Sequence, residues 1–193
     1  MSSPELQAEL ELIDRARKGS VDAFEQLVLN YQDRLYRFLL LRASSRADAE
    51  DVLQDTFVAV FKYLPSYRRG YRFSTWLFTI ALRQLSRQRR RPSGTPDLLE
   101  TIACGQAGPE QNGMQLEQRR STWQTARSCL SETQFTALWL FYVEDMPLVE
   151  ISRIMKRPVS WVKVNLLRAR RRLSKVLQDD RFDTATTRKE FSL

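Results

Sequence analysis

Apolar residues recur at intervals of three and four along nearly the whole chain, and no sustained alternation at two interrupts them. This spacing gives each segment one apolar stripe on a helix surface and denies it the two-faced pattern of a half-buried sheet. The predicted fold is therefore all-α. One stretch breaks the rhythm. Between Pro92 and Gly113 the chain places Pro92, Gly94, Pro96, Gly105, Gly108, Pro109 and Gly113 among few large apolar residues. Such a composition reads as a flexible linker. The expected organisation is two small helical domains over residues 1–91 and 114–178, joined by a linker at 92–113 and followed by a frayed tail at 179–193.

Local signals set the expected helix limits. A first helix covers Glu5 to Lys18 and stops at Gly19. A second runs from Val21 to Arg42 behind the cap Ser20. A third spans Arg46 to Leu64; Ser45 and Asp48 resemble a capping box with Asp for the usual Glu, and Pro65 ends it. Ser66 to Arg72 is a short basic loop before a fourth helix, Phe73 to Arg91. Beyond the linker come Met114 to Cys129, a helix capped by Ser131 and Gln134 that ends near Glu144, then Pro147 to Met155 and Val159 to Gln178.

The net charge of +8 is gathered into two blocks. Thr56 to Pro96 contains no acidic residue and carries Lys62, Arg68, Arg69, Arg72, Arg83, Arg87, Arg89, Arg90 and Arg91. Ile151 to Gln178 also lacks acidic residues and carries Arg153, Lys156, Arg157, Lys163, Arg168, Arg170, Arg171, Arg172 and Lys175. Cations bind nucleic acid by releasing condensed counterions, so each block reads as a nucleic-acid footprint. Histidine is absent, which removes the commonest general base and metal ligand. Cys104 and Cys129 alone cannot form a usual zinc site, and no Gly-rich phosphate loop is found. An enzyme is disfavoured. No apolar run approaches the roughly 18 residues of a membrane span.

Three constellations carry the functional reading. Two helices joined at Lys156 to Pro158 have the helix-turn-helix layout. In the second, Val159, Val162, Leu166, Ala169, Leu173 and Val176 share one face. Ser160, Lys163, Val164, Leu167, Arg168, Arg171 and Lys175 share the other, which suits a major groove. On the third helix Leu53, Phe57, Val60 and Leu64 are expected to be buried, while Asp48, Asp51, Asp55, Val58 and Lys62 face outward. The carboxylates favour a helix N-terminus and also offer a docking face for a basic partner. Next follow Tyr67, Arg68, Arg69, Tyr71, Arg72, Phe73 and Trp76, aromatic rings interleaved with guanidinium groups as single-stranded nucleic acid requires. Phe73, Trp76, Leu77 and Ile80 have helical spacing and are expected in the core; Tyr67 and Tyr71 are the expected base-stackers.

The order acidic helix, aromatic basic loop, basic helix, linker and helix-turn-helix resembles bacterial RNA polymerase sigma factors of the extracytoplasmic-function type. Asp48-Ala49-Glu50-Asp51-Val52-Leu53-Gln54-Asp55-Thr56-Phe57 looks like their polymerase-docking helix, and Phe73-Ser74-Thr75-Trp76-Leu77-Phe78-Thr79-Ile80-Ala81 like their promoter-melting segment. Leu130-Ser131-Glu132, Val159-Ser160-Trp161-Val162-Lys163 and Arg168-Ala169-Arg170-Arg171-Arg172-Leu173 look like parts of their reader of the −35 element. The resemblance implies that Asp48, Asp51, Gln54 and Asp55 contact core RNA polymerase. It implies that Tyr67, Arg68, Arg69, Tyr71 and Arg72 receive a base flipped from the −10 element, with Arg83, Arg87 and Arg89 to Arg91 holding DNA nearby. Ser160, Lys163, Val164, Leu167, Arg168 and Arg171 would read the −35 element. It implies promoter-directed initiation in the cytoplasm, without catalysis, cofactor, metal or membrane insertion. The partners implied are core polymerase, promoter DNA and an anti-sigma protein.

This chain departs from the family's pattern in places. Arg83 stands where Asn is usual, Ser160-Trp161 where Gly-Thr is usual, and Val164-Asn165 where Ser-Arg is usual, an expected loss of one cation from the DNA-facing helix. Lys156-Arg157 replaces a common Gly and apolar residue in the turn. A repressor binding operators alone would need the helix-turn-helix but neither the acidic face nor the aromatic loop. A nucleic-acid-modifying enzyme would need ligands or bases that this composition lacks.

Overall fold

The computed structural model describes residues 4–90 and 122–190, with side chains described over 6–90 and 122–178. The architecture is all-α, with no strand among the described residues. The chain divides into two compact units, Met1–Cys104 and Gly105–Leu193. The expected linker at 92–113, Arg91, Cys104 and the helix from Met114 up to residue 121 lie outside the described residues.

The first unit contains α1 (Pro4–Arg17), α2 (Val21–Leu40), α3 (Arg46–Tyr63), a 3-10 turn (Leu64–Ser66) and α4 (Phe73–Gln88). Helix α2 starts where Ser20 Oγ accepts from the Ala23 amide at 3.3 Å. The preceding Gly19 has φ +96, a conformation that costs a side chain but not a glycine. Along α2, Ala23, Leu27, Tyr31, Leu35 and Phe38 are buried at steps of four, four, four and three. Phe38 meets Phe78 of α4 edge-to-face at 5.3 Å between centroids. Each buried Leu or Phe among them contributes about 1.5–3 kcal/mol by leaving water, which is what holds these helices together.

Helix α3 corrects one expectation. Its buried residues are Ala49, Val52, Thr56, Ala59 and Val60, whereas Leu53 and Phe57 are only half-buried. Thr56 tolerates full burial because its hydroxyl donates to the Val52 carbonyl at 2.6 Å. Small residues let α3 approach its neighbours closely, so the larger Leu53 and Phe57 move to the flank. There they line an open apolar groove with Phe24, Val58 and Phe61. Pro65 ends α3 as expected, but the chain closes in the 3-10 turn before entering the loop.

The second unit contains α5 (122–129), α6 (Glu132–Tyr142), α7 (Leu148–Met155) and α8 (Val159–Glu190). The expected capping box is complete: Ser131 Oγ accepts from the Gln134 amide at 3.3 Å, and the Gln134 side chain accepts from the Ser131 amide at 3.1 Å. Trp123, Phe135 and Trp139 form an aromatic cluster. Ile151 and Ile154 of α7 and Val162, Leu166 and Ala169 of α8 are buried, as their periodicity predicts. Helix α8 continues to Glu190, past its expected end at Gln178 and through most of the expected tail.

The turn between α7 and α8 carries Lys156 at φ 52 and ψ 46, the left-handed conformation that glycine adopts without cost. The Arg157 amide donates to the Ser152 carbonyl at 3.0 Å, closing α7 despite the missing glycine. The turn is therefore kept by backbone hydrogen bonds at the expense of a strained lysine.

Candidate nucleic-acid and polymerase interfaces

The outward face of α3 presents Asp51, Gln54 and Asp55 to solvent. Asp48 differs. It is half-buried, and its carboxylate accepts from Gln88 Nε2 of α4 at 2.6 Å. Its amide meanwhile donates to Ser45 Oγ at 3.0 Å. Asp48 thus joins the start of α3 to the end of α4, and of the four residues expected to dock, Asp51, Gln54 and Asp55 are the ones left exposed. Glu50, on the same turn, accepts from Arg46 at 3.0 Å and from Tyr36 Oη at 2.9 Å. Those two donors, Arg46 first, hold its carboxyl below the usual carboxylate range. The apolar groove of Leu53, Phe57, Val58 and Phe61 runs beside these acids. Charge does not reveal it: Leu53 and Phe57 are expected in the core and Val58 on the outward face, and nothing in the spacing singles out Phe61.

The loop between the 3-10 turn and α4 divides its aromatic residues. Tyr67 is not a free stacking surface: it is 2% exposed, with its ring against Phe73 at 5.7 Å and Trp76 at 5.2 Å. Its hydroxyl donates to the Tyr71 carbonyl at 2.7 Å. The expected role of Tyr67 as a base-stacker is corrected to that of a core anchor, because an internal hydrogen bond satisfies the phenol that would otherwise favour the surface. Tyr71 remains exposed at 43%. Arg68, Arg69 and Arg72 are exposed, Arg72 at the start of α4. Arg69 forms an ion pair with Asp14 of α1. Phe73, Leu77 and Ile80 are buried as expected, whereas Trp76 is only half-buried. Farther along α4, Arg83 and Arg87 lie four residues apart and exposed, on one face. Arg89 donates to the Arg42 carbonyl, so it caps α2 from the end of α4.

On α8 the two faces separate as the periodicity predicts. Ser160, Lys163, Val164, Leu167, Arg168, Arg171 and Lys175 are exposed. Val164 and Leu167 each show 46% of their surface to solvent amid these cations. Arg170 lies off this face, its guanidinium over Phe141 at 5.4 Å and Tyr142 at 5.2 Å. Arg157 sits over the Trp161 ring at 5.5 Å. Asn165 overturns one expectation. It is only 9% exposed, and its side-chain Nδ2 is buried without a hydrogen-bond partner. The position therefore points into the unit and takes no cation from the exposed basic face.

Among the described residues no cluster of histidine, cysteine, aspartate and glutamate could hold a metal ion, and no helix is long and apolar enough to cross a membrane. Cys129 is a half-buried free thiol, its pKa raised by burial.

Comparison with known proteins matches each unit separately. Residues 27–94 match the Sigma-70 region 2 family and residues 123–173 match Sigma-70 region 4. The chain is 31% identical over 179 residues to the ECF RNA polymerase sigma-E factor of Haemophilus influenzae, covering 86% of this chain and 94% of that one. It is 29% identical over 180 residues to the ECF RNA polymerase sigma factor SigW of Bacillus subtilis, covering 86% and 95%. Among solved structures, CnrH in complex with the cytosolic domain of CnrY is similar with a TM-score of 0.66 and 26% identity, over 90% of this chain and 99% of that one.

Proposed function

Because this chain belongs to the extracytoplasmic-function (ECF) sigma factors of the Sigma-70 family, which direct promoter-specific transcription initiation, we propose how its exposed side chains divide that task. Asp51, Gln54 and Asp55 dock on a basic surface of core RNA polymerase, and the neighbouring groove of Leu53, Phe57 and Phe61 takes an apolar side chain beside them. Tyr71 stacks on an unpaired base of the −10 element, with Arg68 and Arg72 on the flanking phosphates. Tyr67 supports the loop from below. Arg83 and Arg87 hold the backbone of adjoining DNA. Ser160, Lys163, Val164, Leu167, Arg168 and Arg171 enter the major groove of the −35 element, the cations meeting phosphates or guanine edges and the apolar pair meeting thymine methyl groups.

The observation that carries this reading is the exposed pair Val164 and Leu167 inside a basic helix face. Solvation alone explains the cations of that face but not half-exposed aliphatic side chains among them. The factor works where its polymerase works, in the cytoplasm, and performs no covalent chemistry; melting is achieved by binding energy for the opened strand. CnrH was solved bound to the cytosolic domain of CnrY. By that likeness an anti-sigma protein is a further partner of this chain.

In vitro transcription with core polymerase over a promoter library tests the assignment. Specific transcripts should appear only when this chain is added, and should share a −35 and a −10 element. Transcription with no sequence preference would overturn the DNA-reading roles. In a pull-down titration, Asp51→Arg with Asp55→Arg should weaken association with core while leaving helix content unchanged. Unaltered affinity would remove the docking assignment.

A further inference from the structure

The geometry points to α1 as a brace for the loop that meets unpaired DNA, with Asp14 and Arg17 as its positioning residues. This rests on the proposed role of that loop. Helix α1 precedes the residues matched to Sigma-70 region 2, which begin at 27.

The brace is built in three steps. First, α1 is fixed to the unit. Ile13 and Ala16 are buried at 0% and 6% exposure, and Glu9 accepts a hydrogen bond from Tyr31 Oη of α2. Tyr31 in turn packs its ring on Phe73, at the start of α4, at 5.4 Å. Second, burying Ile13 and Ala16 places Asp14 and Arg17 on an adjacent face of α1, toward the loop. Asp14 pairs with Arg69, and Arg17 Nη2 donates to the Pro65 carbonyl at 3.3 Å. Third, the loop is held at alternate residues: Pro65 by Arg17, Tyr67 by the core, and Arg69 by Asp14. Arg68 and Tyr71 are left exposed between and beyond these anchors. The bond from Arg69 lowers the Asp14 pKa most, with Arg69, Arg17 and Lys18 adding their charges, so the carboxylate is ionised at neutral pH.

A loop that must order on binding gives up part of its interaction energy to do so, and ordering it beforehand removes that loss. Asp14 holds Arg69 against α1, which directs the loop's DNA contacts to Arg68, Tyr71 and Arg72. The effect is on the −10 step and not on core docking, because Asp51, Gln54 and Asp55 are exposed on α3, whereas the brace joins α1 to the loop through Asp14 and Arg17.

The test uses holoenzyme assembled from core polymerase and variant factors, with permanganate reactivity of the −10 region as readout. Asp14→Ala should lower open-complex formation roughly two- to five-fold, the range of an exposed ion pair, while core affinity and thermal unfolding stay unchanged. Asp14→Glu should restore most of the loss, and so should the charge swap Asp14→Arg with Arg69→Asp. In an Arg69→Ala background, Asp14→Ala should add nothing. An equal loss in that background would show that Asp14 does not act through Arg69 and would overturn the inference. So would increased melting by Asp14→Ala, the result if the carboxylate competes with DNA for Arg69. If Asp14→Ala is silent while Tyr71→Ala impairs melting, the brace is wrong and the loop's role stands. If Tyr71→Ala, Arg68→Ala and Asp14→Ala are all silent, the loop's role fails and the brace with it.

Discussion

The loop at 67–72 and the helix α8 both expose arginines mixed with apolar or aromatic side chains, the surfaces proposed to meet DNA, yet they hold them by different means. On α8 the backbone does the work. Exposed Lys163, Val164, Leu167, Arg168 and Arg171 fall on one side simply because Val162, Leu166 and Ala169 are buried on the other. In the loop no backbone repeat aims the side chains. Their directions are set by Tyr67 in the core, by the Tyr67 hydroxyl on the Tyr71 carbonyl, and by α1 through Arg69 and Pro65. A helical reader tolerates change at any exposed position one residue at a time. A braced loop concentrates its dependence on a few supports, some of them far away in sequence.

The largest effect expected from this contrast is at Tyr67. Tyr67→Ala empties a fully packed aromatic site and removes a hydrogen bond, so the first unit should lose about 3–5 kcal/mol. Tyr71→Ala, at an exposed position, should change stability by less than about 0.5 kcal/mol yet reduce promoter melting. Chemical denaturation followed by far-UV circular dichroism separates the two. Equal stability losses would erase the distinction between anchor and reader.

Next in size is Arg168→Ala. If Arg168 makes a bidentate contact to guanine, −35 binding should weaken by about 1–3 kcal/mol and preference at that base pair should relax. If it meets only phosphate, affinity should fall evenly across sequences and the salt slope should drop by about one. Selection from a −35 library with holoenzyme at two salt concentrations tells these apart. Unchanged affinity, slope and preference would show that this face of α8 does not meet DNA.

The same contrast explains what was legible in the sequence. The all-α class, the Ser131–Gln134 box and the two faces of α8 rest on local spacing, and spacing survives folding. Expectation and structure part where a neighbour in space outweighs the local pattern. Thr56 could replace Phe57 in the core because its hydroxyl found the Val52 carbonyl. Asp48 left the acidic face because Gln88, forty residues on, supplies an amide. Tyr67 turned inward to meet Trp76 and Phe73. Asp14 and Arg69 are separated by 55 residues, and neither carries a local signal for the other.

Asn165 provides a smaller effect. Aligned with the family's usual Arg it looked DNA-facing, but α8 turns it inward and leaves Nδ2 without a partner. An unsatisfied buried amide costs about 1–3 kcal/mol, part of which an apolar residue of similar shape recovers. Asn165→Leu should stabilise the second unit by about 1 kcal/mol, and Asn165→Asp should destabilise it by burying a charge. The −35 preference should not move with either. A changed preference at one base pair in the library selection would return Asn165 to the DNA-facing surface.

The smallest effect concerns the turn that sets α7 against α8. Lys156 sits at φ 52, where a Cβ crowds the following carbonyl and costs roughly 1–2 kcal/mol. Glycine removes that crowding but gains freedom in the unfolded chain, which takes back about 0.5–1 kcal/mol. The two terms have opposite signs, and the first is larger. Lys156→Gly should therefore stabilise the second unit by about 0.5–1 kcal/mol. Lys156→Val, β-branched at the same φ, should destabilise it. The turn lies next to the α8 N-terminus, so losing the Lys156 charge should weaken DNA binding evenly across sequences, without altering base preference. Thermal unfolding of the full chain with the three residues at this position should rank glycine above lysine above valine. A ranking with lysine first would mean that the Lys156 side chain makes a contribution larger than the strain of its backbone.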